Sequence, residues 1–312
     1  MKKIVFLDEY SLGGNDLSSI KSLGDYTAYD RTPAELVLER CKGATVVISN
    51  KVYLSRETMQ QLPDLKLIAI AATGMNNVDL EAAAELGIEV KNVSGYSTYS
   101  VAEATLCGAL SLLKNSSYYD NYFKSGAYAA TTHIFHFGRP ISMLRGKNWG
   151  IIGLGAIGRQ VATLAEAFGC KVAYYSTSGV ARSESYPRME LSELLAWADV
   201  VSIHSPLNAQ TAGLIGEAEL QQMKPTAIII NVARGGIIDE SALTNALNNK
   251  TIAGAALDVF SKEPLPSSPL YNLKDSYSLL ASPHTAWAAD DAVNKLIEGI
   301  YINIKEFLLS LQ

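Results

Sequence analysis

The sequence predicts an α/β protein made of two doubly wound domains, each built on a parallel sheet. Three observations carry this expectation. Short apolar runs alternate with helical patterns along most of the chain, which is the order of strand–helix–strand units. The 312 residues leave room for roughly two domains of about 150 residues. Around residue 150 an apolar run leads into three glycines, Gly153, Gly155 and Gly158, spaced G-x-G-x-x-G, followed by an amphipathic segment and a second apolar run.

In the first third the strand candidates are 3–8, 25–29, 45–49, 65–71 and 88–92, with 56–62 and 79–86 the clearest helices between them. That set makes a five-stranded doubly wound domain. Residues 100–122, rich in Ala, Leu, Ser and Tyr, read as one long connecting helix, and 126–140 as an irregular loop. The second unit offers six strands: 148–152, 170–175, 200–204, 227–231, 252–257 and 276–281. The helix after the glycines is expected over 159–168. The last segment, 289–311, repeats Val293, Leu296, Ile297, Ile300, Ile304 and Leu308 at three- and four-residue spacing, a helical period.

The glycine cluster sits where a strand turns into a helix. There Gly153 allows the turn, Gly155 lets backbone approach a pyrophosphate, and Gly158 lets helix and strand pack closely. The helix N-terminus supplies unpaired N–H groups to the phosphates. A dinucleotide site is the consequence.

Composition excludes several other classes. A net charge of -5 offers no basic surface to nucleic acid and no polybasic membrane patch. Cys41, Cys107 and Cys170 are scattered, so neither a disulfide framework nor a thiol site is expected. The N-terminal apolar run is too short for a signal peptide, and no stretch reaches the roughly 18 apolar residues of a membrane span. A cytoplasmic protein is expected.

The polar residues that follow the six strands of the second unit are Gly153, Ser176, His204, Arg234, Asp258 and His284. Ligands of open parallel sheets bind outside the carboxyl ends of the strands, so these six suggest one shared crevice. Arg234 lies before two glycines, and its planar fork suits a carboxylate, although a loop arginine can also be merely solvated. Histidine's ordinary pKa of about 6.5 suits His284 to proton transfer, with a structural cap as the equal alternative. Glu263 has no role that composition alone assigns. His133 and His136 lack neighbouring ligands, so no metal is expected.

Taken together, segments 72–79, 92–97, 101–103, 150–159, 200–206, 231–239, 258–264 and 282–284 resemble the D-isomer-specific 2-hydroxyacid dehydrogenase family over essentially the whole chain. The resemblance implies a Rossmann cofactor domain, 99–287, inserted into a flavodoxin-like substrate domain formed by 1–98 and 288–312. It implies that Arg234 binds the substrate carboxylate and the reacting oxygen, that His284 exchanges the proton, and that Glu263 pairs with His284 and orients it. Backbone at Thr73 and Gly74 would hold the carboxylate from the other domain. Ala156 and Ile157 would meet the pyrophosphate, Asp258 the nicotinamide carboxamide, and His204, Pro206 and Ala233 would complete the cofactor site. Domain closure would expel water, and a homodimer would form through the helix at 100–122.

Within the family, 50–51, 67–78 and 283–287 are most similar to the glycerate dehydrogenase and hydroxypyruvate or glyoxylate reductase branch. Ile70 stands where phosphoglycerate dehydrogenases carry an arginine, and the chain stops at Gln312 without a regulatory domain; both argue against a phosphorylated substrate. The alternatives are another D-2-hydroxy acid, of the D-lactate or phosphoglycerate type, or a non-catalytic NAD(H)-sensing regulator. The presence of Arg234, Glu263 and His284 together favours the enzyme, since a sensor needs no proton donor.

The choice of nucleotide is expected to follow from the end of the second strand of that unit. NAD sites usually carry Asp or Glu there for the ribose 2′-OH. This chain has Ser176, Thr177 and Ser178, and its next carboxylate is Glu184. NADP is therefore favoured over NAD, with Arg182 or Arg159 to supply positive charge; binding NAD through hydroxyls alone is the other reading.

Overall fold

A computed structural model of the protein describes residues 1–179 and 184–311. The chain divides into two compact units, Met1–Ser97 with Ala288–Gln312, and Thr98–Trp287.

The first unit holds β1 (Lys3–Phe6), β2 (Asp25–Ala28), β3 (Val46–Ser49), β4 (Leu67–Ile70) and β5 (Glu89–Lys91), all parallel, in the order β2-β1-β3-β4-β5. This is the flavodoxin-like winding. β3 and β4 are buried along their whole length, as strands covered on both faces must be. The helix Asp290–Ser310 belongs to this unit and packs on β4. It buries Val293, Leu296, Ile297, Ile300, Ile304 and Phe307, the apolar stripe visible in the sequence. At the carboxyl end of β1, where the winding reverses, the Asp8 carboxylate accepts the backbone N–H of Asn50 at 2.9 Å and of Lys51 at 2.6 Å. Burial pushes the Asp8 carboxyl above its ordinary value, against the lowering effect of those backbone donors.

The second unit holds β6 (Asn148–Ile152), β7 (Lys171–Tyr175), β8 (Val200–Ile203), β9 (Ile228–Asn231), β10 (Gly254–Leu257) and β11 (Leu279–Ala281), again parallel, in the order β11-β10-β9-β8-β6-β7. A single parallel bridge between Tyr174 and Arg188 lies beyond β7. With it the sheet has the winding order of dinucleotide-binding sheets, the third strand being reduced to one residue.

Two expectations are corrected. The single helix at 100–122 is two, Thr98–Lys114 and Ser116–Lys124, because Asn115 takes a left-handed conformation (φ 50°, ψ 43°). Asparagine tolerates that region, and its Nδ2 donates to the Pro140 carbonyl at 2.8 Å. The Ser142 N–H then takes the Leu113 carbonyl that the interrupted helix leaves over. The strand at 276–281 begins only at Leu279, since Ser276–Ser278 form a 3-10 turn whose Tyr277 N–H is capped by Asp275. Among the described residues no helix is long and apolar enough to cross a membrane.

Candidate active site

The glycine turn is built as its spacing requires. Gly153 has φ 93°, and a Cβ on it would stand 2.9 Å from the Ser205 nitrogen, so backbone of the β8 loop passes directly beside it. A Cβ on Gly158 would meet the Gly153 carbonyl at 2.4 Å, which fixes the close approach of helix to turn. Gly155 is different: a Cβ there meets nothing within 4 Å. It is the N-cap of the helix Ala156–Ala167, which starts three residues before the expected 159. Ala156 and Ile157 therefore bring backbone N–H groups of the first turn to an open space, as an anion would need.

A groove runs from this turn along the carboxyl ends of β7 and β8. It is lined by Gly153, Leu154, Gly155, Tyr174, Ser176, Thr177, Ser178, Glu184, His204, Ser205 and Pro206. It lies at the reversal of strand order between β6 and β8, where open α/β sheets bind ligands. Of the nine non-glycine cofactor residues expected from the sequence, five line it: Ser176, Thr177, Ser178, His204 and Pro206, while Ala156 and Ile157 open the helix at the glycine turn. Ala233 and Asp258 lie elsewhere, at the ends of β9 and β10.

Three side chains are linked within the groove wall. The indole N–H of Trp149 only donates, so it gives its hydrogen to Ser202 Oγ at 2.9 Å. Ser202 Oγ also lies 3.0 Å from His204 Nε2, so one hydroxyl joins the indole and the imidazole. His204 Nδ1 and the Ser205 Oγ are buried with no hydrogen-bond partner among the described residues. Two orphaned polar atoms beside an open glycine turn fit a nucleotide better than they fit a closed core.

Burial pushes the His204 imidazole down to about 3, so it is neutral in the folded protein. The unfolded chain takes up that proton near 6.5. The contribution of a neutral His204 is therefore complete above 6.5 and lost as pH falls from there toward about 3. Urea denaturation of the protein and of His204→Gln at pH 7 and pH 5 is expected to show a steeper loss in the former, by up to about 1.4 kcal/mol per pH unit for one proton. Parallel slopes would mean that the folded protein protonates His204 freely.

Arg159 is paired with an acid. Its Nη2 lies 2.5 Å from Glu184 Oε1 and its Nε 3.2 Å from Oε2, a two-pronged ion pair. Arg182, the other candidate for charge, lies outside the described residues. Ser176 Oγ and Ser178 Oγ are 3.4 Å apart. Glu184 was legible as the first acid after β7, but nothing in the sequence placed it in the groove.

Arg234, Glu263 and His284 follow β9, β10 and β11, three adjacent strands, so the sheet carries them to one end. Asn231 shapes the Arg234 turn: its Nδ2 donates to the Arg234 carbonyl at 2.9 Å and its Oδ1 accepts from the Ala233 N–H at 3.1 Å. Arg234 Nη1 donates to the Ala233 carbonyl at 2.7 Å. Any Cβ on Gly235 would overlap the Phe260 carbonyl oxygen at 1.8 Å, so this turn lies directly on the loop that carries Glu263.

His284 Nδ1 and Glu263 Oε2 are 2.6 Å apart, and Glu263 Oε1 accepts the Phe260 N–H at 2.9 Å. Both carboxylate oxygens are thus engaged, and the glutamate is held while it holds the ring. His284 has φ 58°, a conformation few non-glycine residues adopt, and its N–H donates to the Asp258 carbonyl at 2.8 Å. The buried Asp258 carboxylate shapes the same loop. It accepts from Ser282 Oγ at 2.6 Å, the Thr285 N–H at 2.8 Å and the Ala286 N–H at 2.9 Å. Three of its acceptor positions are therefore used to aim His284, a function that the sequence did not reveal.

In the other unit, Thr73 and Gly74 follow β4. Thr73 Oγ1 donates to the Val93 carbonyl at 3.1 Å and Asn92 Nδ2 to the Thr73 carbonyl at 2.6 Å, which ties the β4 and β5 loops together. His136 stacks on Tyr122 with ring centres 3.7 Å apart and bonds Tyr118 Oη at 2.8 Å. Among the described residues no group of three or more His, Cys, Asp or Glu converges as metal ligands would.

Comparison with known proteins places this geometry in a family. Residues 106–286 match the D-isomer specific 2-hydroxyacid dehydrogenase, NAD binding domain. A glycerate dehydrogenase of Methylorubrum extorquens is 37% identical over 98% of this chain and 96% of its own. A hydroxypyruvate reductase of Blautia hydrogenotrophica is 34% identical over 98% and 97%. Among solved structures, the NADPH-dependent glyoxylate/hydroxypyruvate reductase of Sinorhizobium meliloti, in complex with NADP and malonate, superposes with a TM-score of 0.84. It is 26% identical and covers 98% of this chain and 93% of its own.

Proposed function

The chain belongs to the D-isomer specific 2-hydroxyacid dehydrogenase family of oxidoreductases, and on that premise we propose that it reduces small 2-keto acids of the hydroxypyruvate or glyoxylate kind to D-2-hydroxy acids, with NADPH as the favoured nucleotide. The observation that carries the chemistry is the 2.6 Å pair between His284 Nδ1 and Glu263, next to the Arg234 turn. A bound nicotinamide supplies the hydride, which goes to C2 of the keto acid. The residues of the chain do the rest. With Nδ1 engaged by Glu263, the proton that reaches the carbonyl oxygen comes from His284 Nε2. Arg234 presents its fork to the carboxylate and polarises the same oxygen. In the reverse direction His284 takes the proton back. The relatives that act on glycerate, hydroxypyruvate and glyoxylate support this substrate class over a bulkier acid.

Two observations support NADPH. No acid ends β7, and Ser176, Thr177 and Ser178 line the groove with hydroxyls. The Sinorhizobium meliloti reductase that shares the fold is itself NADPH-dependent. A comparison of kcat/KM for NADPH and NADH on one substrate is expected to favour NADPH; a tenfold preference for NADH would overturn the assignment.

The protein is assigned to the cytoplasm, where Cys41, Cys107 and Cys170 remain the free thiols that they are here. It is assigned as a homodimer through the helix Ser116–Lys124 and the loop after it. Phe123, Ile134, Phe135 and Phe137 are all exposed on that stretch, and sedimentation velocity reads the association directly.

A further inference from the structure

We propose that the Arg159–Glu184 ion pair reads the 2′ position of the nucleotide: Glu184 keeps Arg159 while the ribose carries a hydroxyl and yields it to a 2′-phosphate. The proposal rests on the reading of the groove as a nucleotide site, but not on which nucleotide is preferred. Glu184 lines the groove together with Ser176, Thr177 and Ser178, at the place where dinucleotide sites hold the adenosine ribose. Its side chain is 12% exposed, and that of Arg159 is 44% exposed. Arg159 belongs to the helix Ala156–Ala167, directly after Gly158, and a rigid element therefore sets its reach.

The pair has two chemically sensible states. A planar guanidinium binds a carboxylate or a phosphate with the same two-pronged geometry, and the phosphate carries the larger charge. A partly exposed ion pair holds weakly, which lets a stronger anion displace it. With a 2′-hydroxyl present, Glu184 stays on Arg159 and can accept a hydrogen bond from the hydroxyl, the service usually given by an acid at the end of the second strand. With a 2′-phosphate present, Arg159 turns to the phosphate. Glu184 is thus a restraint on NADP binding, and Arg159 is its ligand.

Isothermal titration of NADP⁺, NAD⁺ and the fragment 2′,5′-ADP into the protein and its variants tests this without turnover. Glu184→Gln is expected to tighten NADP⁺ and 2′,5′-ADP by about tenfold and to leave NAD⁺ within about threefold. Arg159→Gln is expected to weaken NADP⁺ by about tenfold while NAD⁺ binding, which also reports folding, is kept. In the double variant the gain from Glu184→Gln should vanish. Unchanged NADP⁺ affinity in Glu184→Gln, or an equal gain without Arg159, would overturn the proposal. A protein that binds only NAD⁺ until Glu184 is replaced supports the proposal and contradicts the NADPH preference. One that prefers NADP⁺ and ignores Glu184→Gln does the reverse.

Discussion

His284→Ala is expected to lose about two to four orders of magnitude in kcat, the usual share of a positioned acid or base, while nucleotide affinity stays as it was. The reason lies in the distribution of the four histidines. His136 is stacked in a tyrosine cluster and bonded to Tyr118. His204 is pressed down to about 3 by burial, is neutral, and has its Nε2 engaged with Ser202 Oγ. His133 is exposed on the loop before His136. Only His284 is aimed by a carboxylate at the carboxyl end of the sheet. The nucleotide groove lies at β6, β7 and β8, away from the β11 loop, and should be unaffected. Single-turnover reduction and titration with the nucleotide measure the two quantities separately. Near-normal turnover would remove His284 from the chemistry.

Arg234→Lys is expected to lower kcat/KM for the keto acid by about ten- to a hundredfold, with much of the loss in KM, because an ammonium cannot present two parallel donors. The charge is kept, so the loss reports geometry. The turn that carries Arg234 is unusually determined: Asn231 holds both the Ala233 N–H and the Arg234 carbonyl, and Gly235 lies against Phe260. Such a turn cannot shift to let a shorter donor set reach the carboxylate. Steady-state kinetics on glyoxylate and hydroxypyruvate, with the nucleotide affinity as a control, check the expectation. Unchanged parameters would place the carboxylate elsewhere.

Much of this was legible in the amino-acid sequence because it depends on local chemistry. Most of the eleven strands among the described residues appear as short apolar runs, β2 (Asp25–Ala28) and β5 (Glu89–Lys91) being the exceptions, and the glycine turn is announced by its spacing. Arg234 and His284 were visible as polar residues after strands, whereas Glu263 entered only through the family resemblance. What was not legible depends on contacts between distant segments. Asn115 breaks a helix only because Pro140 comes back to take its amide. No periodicity places Glu184 in the groove or pairs it with Arg159. Asp258 spends its carboxylate on the loop at 282–286, an arrangement that needs β10 and β11 to be neighbours.

Delivery of hydride and proton to a 2-keto acid at the Arg234, Glu263 and His284 end of the sheet is the reaction proposed for this protein. It is tested most directly by following NADPH oxidation at 340 nm with glyoxylate and hydroxypyruvate and determining the configuration of the glycerate formed. Turnover that yields D-glycerate and falls by two or more orders in His284→Ala is the predicted result. Nucleotide binding without turnover of either acid, or an L-product, would contradict it.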